Sequence, residues 1–179
     1  MSKINEDLNF VLTNKNFKGE TKERLVLIFT ANSVQFIKVL NEQFKLKSKD
    51  SLEKFIDKKL GPKSTAGHFC KTRIQYALDT SDYYAKKIRD LGKNWKRNQK
   101  AISDIFLQRM ETDLDLIKRT WVVKKYGDGK DLKTWIVNKS SGSKSGYFLA
   151  KMLDNCGRYA EFQKKDSKAG PSKFEKMMM

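Results

Sequence analysis

Apolar residues return along this chain at steps of three, four and seven. Leu25, Ile28 and Phe29 form one such set, and Ile37, Leu40 and Phe44 form another. That spacing keeps side chains on one face of a helix, whereas a strand would alternate with a period of two. The same sets return 77 positions later without a gap. Leu25 meets Ile102, Ile28 meets Ile105, Phe29 meets Phe106, Ile37 meets Leu114, Leu40 meets Ile117, and Phe44 meets Trp121. Six agreements at one offset point to a duplicated helical unit rather than two unrelated amphipathic stretches. Beyond them the offset widens by two or three residues, as a loop insertion requires. Leu52, Phe55 and Ile56 then correspond to Leu132, Trp135 and Ile136, and Gly67 and Phe69 to Gly146 and Phe148.

Each copy reads as five short helices. The pattern predicts 6–13, 21–30, 33–44, 51–60 and 66–79 in the first copy, and 82–91, 98–109, 113–126, 131–138 and 145–155 in the second. Repeats therefore occupy 5–80 and 81–156, followed by a basic tail at 157–179 that reads as mostly mobile. Thr112-Asp113-Leu114-Asp115 has the form of a capping box. Tyr126-Gly127-Asp128-Gly129 reads as a helix stop, because glycine accepts the left-handed backbone that ends helices. The two prolines fall at Pro62, in a loop, and Pro171, in the tail, so neither interrupts a predicted helix.

Charge changes the picture most. The 179 residues carry 38 Lys and Arg against 21 Asp and Glu, a formal charge of +17. Such a surplus favours polyanions: acidic lipid, nucleic acid or an acidic protein. No window holds the roughly 20 apolar residues that cross a bilayer, so a membrane could be a surface for this chain but not a medium. The opening residues are too polar for a secretory signal. Cys70 and Cys156 stand apart without ligand-like companions, which suits a reducing compartment and two helix-face hydrophobes. His68, the one histidine, has no nucleophile or carboxylate spaced to form a catalytic pair. With no phosphate-cradling glycine loop or metal cluster either, an enzyme is not expected. Arg109 and Asp113, four apart, read as a structural ion pair.

Several segments together resemble the annexin repeat. In the second copy these are Tyr84-Ala85-Lys86-Lys87-Ile88, then Arg109 with Glu111, Asp113, Leu114 and Ile117. Tyr126-Gly127 with Leu132 and Ile136 follows, and last Ser145-Gly146 with Phe148 and Leu153. In the first copy Ile28-Phe29, Ser33-Val34, Ile37 and Leu40 look like the third repeat of a four-repeat annexin. The resemblance covers roughly residues 5–156 and suggests the C-terminal half of that core, or a shortened relative. It implies an all-α fold of two five-helix repeats in a right-handed superhelix, and a peripheral, calcium-dependent phospholipid-binding ancestry. The family holds calcium with carbonyls of the loop between the first two helices of a repeat and an acid between the last two.

Those acids are not matched here. Lys18-Gly19-Glu20-Thr21 stands in the first loop, with Glu20 the one remaining carboxylate, and its distal partner Gly61-Pro62-Lys63-Ser64-Thr65 has none. The second copy offers Gly92-Lys93-Asn94-Trp95-Lys96-Arg97 and Lys139-Ser140-Ser141-Gly142-Ser143-Lys144. Calcium requires six to eight oxygen ligands with compensating negative charge. Gly19, Glu20 and Thr21 are thus vestigial positions, and no cofactor is expected. The expectation is instead that Lys18, Lys63, Lys93, Lys96, Arg97, Lys139 and Lys144 attract acidic phospholipid directly, with Trp95 as an interfacial anchor. The implied location is cytoplasmic, at the inner face of membranes. A cytoskeletal partner of the kind alpha-giardins have, a homodimer hiding an apolar flank, and non-specific nucleic-acid binding are the other partners the sequence allows.

Overall fold

In the computed structural model the backbone is described for residues 2–166 and the side chains for residues 2–156. Among the described residues the chain is all-helical, with ten α-helices and one 3-10 turn. It divides after Thr80 into two compact units. Each unit closes its own hydrophobic core.

Unit 1 holds α1 (Lys3–Thr13), α2 (Glu20–Thr30), α3 (Val34–Lys47), α4 (Leu52–Leu60) and α5 (Thr65–Leu78). Three helices start on serine: Ser33 accepts from the N–H of Phe36, Ser51 from Lys54 and Ser64 from Gly67. Each hydroxyl satisfies a donor that the first helical turn otherwise leaves without a partner. Gly19 opens α2 at φ +50° and Gly61 closes α4 at φ +85°, both in the region a Cβ disfavours. Helix α5 packs on α2, α3 and α4, and α1 packs on α3. The core side chains are those of the helical period: Leu25, Phe29, Ile37, Leu40, Phe44, Leu52, Ile56 and Ile74 are fully buried.

Unit 2 holds α6 (Thr80–Leu91), a 3-10 turn (Gly92–Asn94), α7 (Trp95–Arg109), α8 (Leu114–Val123), α9 (Leu132–Lys139) and α10 (Lys144–Asp166). Helix α10 packs on α7, α8 and α9, as α5 does on its predecessors in unit 1. Ile102, Phe106, Leu114, Ile117, Trp121, Leu132 and Ile136 are fully buried, and Ile105 nearly so. All twelve side chains paired at the 77-residue offset therefore lie in a core. The glycines Gly67 and Gly146 share a second role. A Cβ on Gly67 would stand 2.8 Å from Ser64 Oγ, and one on Gly146 would stand 1.9 Å from Ser140 Oγ. In both units a serine-bearing turn is folded tightly onto the start of the last helix.

Four expectations are corrected. Asp113, not Thr112, is the residue before α8, and its side chain makes no cap bond. Its carboxylate is taken by the Arg109 guanidinium through two bonds of 2.6 Å. The expected Arg109–Asp113 ion pair is therefore present and bidentate, the stronger interaction, while the capping box does not form. Helix α8 ends at Val123, three residues before the expected stop, with Lys125 left-handed at φ +54°. Gly127 serves space rather than handedness, since a Cβ there would lie 2.4 Å from the Lys130 carbonyl and 2.5 Å from Trp121 Nε1. Helix α7 begins at Trp95 rather than Asn98. Helix α10 continues to Asp166, past the expected start of the tail at 157. The rest of that tail, 167–179, lies outside the described residues.

Candidate cationic surface

In unit 1 the α1–α2 connection folds against α4. Phe17 is buried in it, its ring edge-on to Phe10 and Phe55 at 5.8 Å each. Lys59 Nζ, at the end of α4, donates to the Lys15 carbonyl at 3.0 Å. The connection thus lies beside the helix from which the Gly61–Ser64 turn departs, and Lys18 and Lys63 are both exposed. The Lys18–Thr21 loop is closed on itself. The Thr21 hydroxyl donates toward the carbonyls of Asn16 and Lys18 at 3.2 and 2.8 Å and accepts from the Lys18 N–H. The Gly19 carbonyl takes the first helical bonds, from Lys22 and Glu23. Glu20 is exposed and sits in the first turn of α2 with Glu23, where a helix favours negative charge.

In unit 2 the corresponding connection is the 3-10 turn, which rests on α9. Gly92 is pressed against the Trp135 indole so closely that a Cβ would fall 2.1 Å from its ring. Lys139, one turn beyond on α9, holds its ammonium 5.8 Å from the centre of the same ring. Asn98 donates to the Leu91 carbonyl at 2.9 Å and ties the turn to α7. Lys96 and Arg97 are consequently first-turn residues of α7 rather than loop residues, and that turn carries no acid. Cations there oppose the positive end of the helix dipole, an arrangement that costs stability unless an anion is close by.

Lys93, Lys96, Arg97, Lys139 and Lys144 are all exposed. Lys93 is engaged by Asp90 at 2.7 Å, and this bond holds the Asp90 carboxyl below its ordinary value. Among the described residues no ion pair claims Lys18, Lys63, Lys96, Arg97, Lys139 or Lys144.

Trp95 does not join this surface. It is 7% exposed and belongs to the core of unit 2 with Ala85, Ile88, Ile102 and Trp135. As the first residue of α7 it turns inward, because the connection before it is a 3-10 turn that carries the helical rotation rather than an open loop. The aromatic residues that do face solvent are others: Tyr147 and Phe148 are each 59% exposed at the start of α10, and Phe69 is 39% exposed on α5. The signal for Tyr147 and Phe148 was present in the sequence as two successive aromatics at the start of the last helix.

No group of three or more His, Cys, Asp or Glu side chains that could hold a metal exists among the described residues. Nor is any described helix long and apolar enough to cross a membrane. Cys70 and Cys156 are both buried free thiols, and burial pushes the Cys70 thiol up to about 11. No family model, curated protein or solved structure matches the chain.

Proposed function

We propose that this chain is a divergent two-repeat relative of the annexins that docks peripherally on acidic phospholipid by charge, with calcium dispensable. The observation that carries the reading is the set of exposed cations at two connections of unit 2. Lys96 and Arg97 start α7, while Lys139 and Lys144 flank the turn between α9 and α10, and no carboxylate neutralises any of the four. Each basic side chain held near an anionic leaflet contributes about 1 kcal/mol, and the effect fades within a Debye length. Further support comes from the way the first connection of each unit packs on the fourth helix. The resemblance expects that proximity of a repeat that binds lipid through those two turns.

Sedimentation with phosphatidylserine-containing vesicles at low salt, with and without a chelator, tests the reading. Binding to acidic vesicles alone, unchanged by the chelator and weakened by salt, is the expected result. No binding at low salt ends it. Calorimetric titration with calcium should give no saturable heat in the micromolar range, because Glu20 is the one carboxylate at the matching turns of either unit.

A further inference from the structure

Helix α10 turns its apolar side inward through Leu149, Ala150, Met152, Leu153 and Cys156, all buried. Its other side begins with Lys144, Tyr147, Phe148 and Lys151, all exposed. At 100° per residue these four positions fall within about a third of the helix circumference, a stripe two turns long with cations at its ends and two rings between. The Tyr147 ring folds back over the preceding turn, close enough to touch a Cβ placed on Gly142 at 3.8 Å. It therefore lies on the connection that also bears Lys139 and Lys144.

We propose that this stripe is the element of the protein that enters the interfacial layer of an anionic phospholipid leaflet. The proposal rests on the charge-docking reading above and assigns it a penetrating element. Two exposed rings gain nothing from water, whereas the headgroup boundary offers apolar depth for Phe148 and a wet rim for the Tyr147 hydroxyl. The flanking ammonium groups can lie along the ring edges with their charges at phosphate level. A chain bound by charge alone leaves when salt is added, and apolar insertion supplies the second signal that keeps it there. The stripe is a convex ridge on a helix rather than a groove tracking a phosphate backbone, so a lipid surface fits it better than a single strand of nucleic acid does. Unit 1 has no counterpart: at the 79-residue offset fixed by Gly67 and Gly146 the equivalent positions are Thr65, His68, Phe69 and Thr72.

The test compares the full chain with a Tyr147→Ser/Phe148→Ser variant on phosphatidylserine vesicles at low and high salt, with poly(U) as a competing polyanion. Both replaced side chains are exposed, and circular dichroism should report an unchanged fold. The double variant is expected to bind vesicles roughly a hundredfold more weakly, about tenfold for each ring, with the same salt slope. Separately, Phe148→Trp should add emission that brominated acyl chains quench. Unchanged vesicle affinity together with no quenching overturns the stripe while leaving charge docking intact. Loss of poly(U) affinity with vesicle affinity retained also overturns it, making the stripe a base-stacking surface. Failure of the unsubstituted chain to bind acidic vesicles at low salt removes both the stripe and the reading it rests on.

Discussion

Unit 1 and unit 2 bury matching side chains around a last helix packed in the same way, yet they dispose of charge at their connections differently. In unit 1 the first turn of α2 carries Glu20 and Glu23. In unit 2 the first turn of α7 carries Lys96 and Arg97 and no acid. The stripe of α10 has two cations and two exposed rings where α5 has threonine, histidine and a single half-exposed Phe69. A core is constrained by volume and packing, so the duplicated pattern persists there. The exposed ends are less constrained, and the first turn of α7 carries cations where that of α2 carries acids.

The largest effect should come from the shared core. Phe29→Ala and Phe106→Ala remove fully buried rings at equivalent positions, and each should cost about 3–5 kcal/mol in urea unfolding. A large difference between the two would break the equivalence. Next, Arg109→Ala should cost about 2–3 kcal/mol. It strands Asp113 with its side chain only 15% exposed and removes the guanidinium that stacks 4.8 Å from the Tyr84 ring. Unit 1 has Asn32 and Phe36 at the matching positions, so it contains no such pair to lose.

A smaller effect separates the two turn glycines. Gly146→Ala should destabilise more than Gly67→Ala, within an overall range of about 1–3 kcal/mol, because its Cβ would meet Ser140 Oγ at 1.9 Å instead of Ser64 Oγ at 2.8 Å. Equal melting temperatures for the two variants would show that Ser140 moves aside freely.

The finest distinction is in pH. Helices α4 and α9 start on equivalent residues, Ser51 and Asp131. The Thr134 N–H donates to the Asp131 carboxylate at 2.9 Å and holds that carboxyl below its ordinary 3.8. A carboxyl lowered by folding stabilises above its unfolded value and loses that contribution as pH falls through the folded one. The Thr134 amide resonance should therefore titrate below pH 3.8, while the Lys54 amide, bonded to Ser51, shows no such step. Asp131→Ala should cost about 1 kcal/mol, the usual worth of a cap.

Much of this fold was legible because helix faces write themselves as periodic apolar residues. The 77-residue offset located twelve core side chains. The departures arise from side-chain packing that apolar spacing does not record. The Thr112 capping box does not form, although the Arg109–Asp113 ion pair expected from the four-residue spacing does, and of the two glycines after α8 it is Gly129 that is left-handed, Gly127 being needed for clearance beside Trp121. Trp95 reads as exposed in a basic loop until the connection proves helical and turns the indole inward. Of the candidate residues, Lys18, Lys63, Lys93, Lys96, Arg97, Lys139 and Lys144 are all exposed, while Trp95 is buried in the core of unit 2.

The sequence by itself determined the helical class, the approximate span of most helices and the buried face of each, because these follow from local spacing and burial. Tertiary structure alone decided which aromatics stay in solvent and whether a connection is a loop or a 3-10 turn. Those outcomes depend on what another element places within a few ångströms, and no local pattern records that.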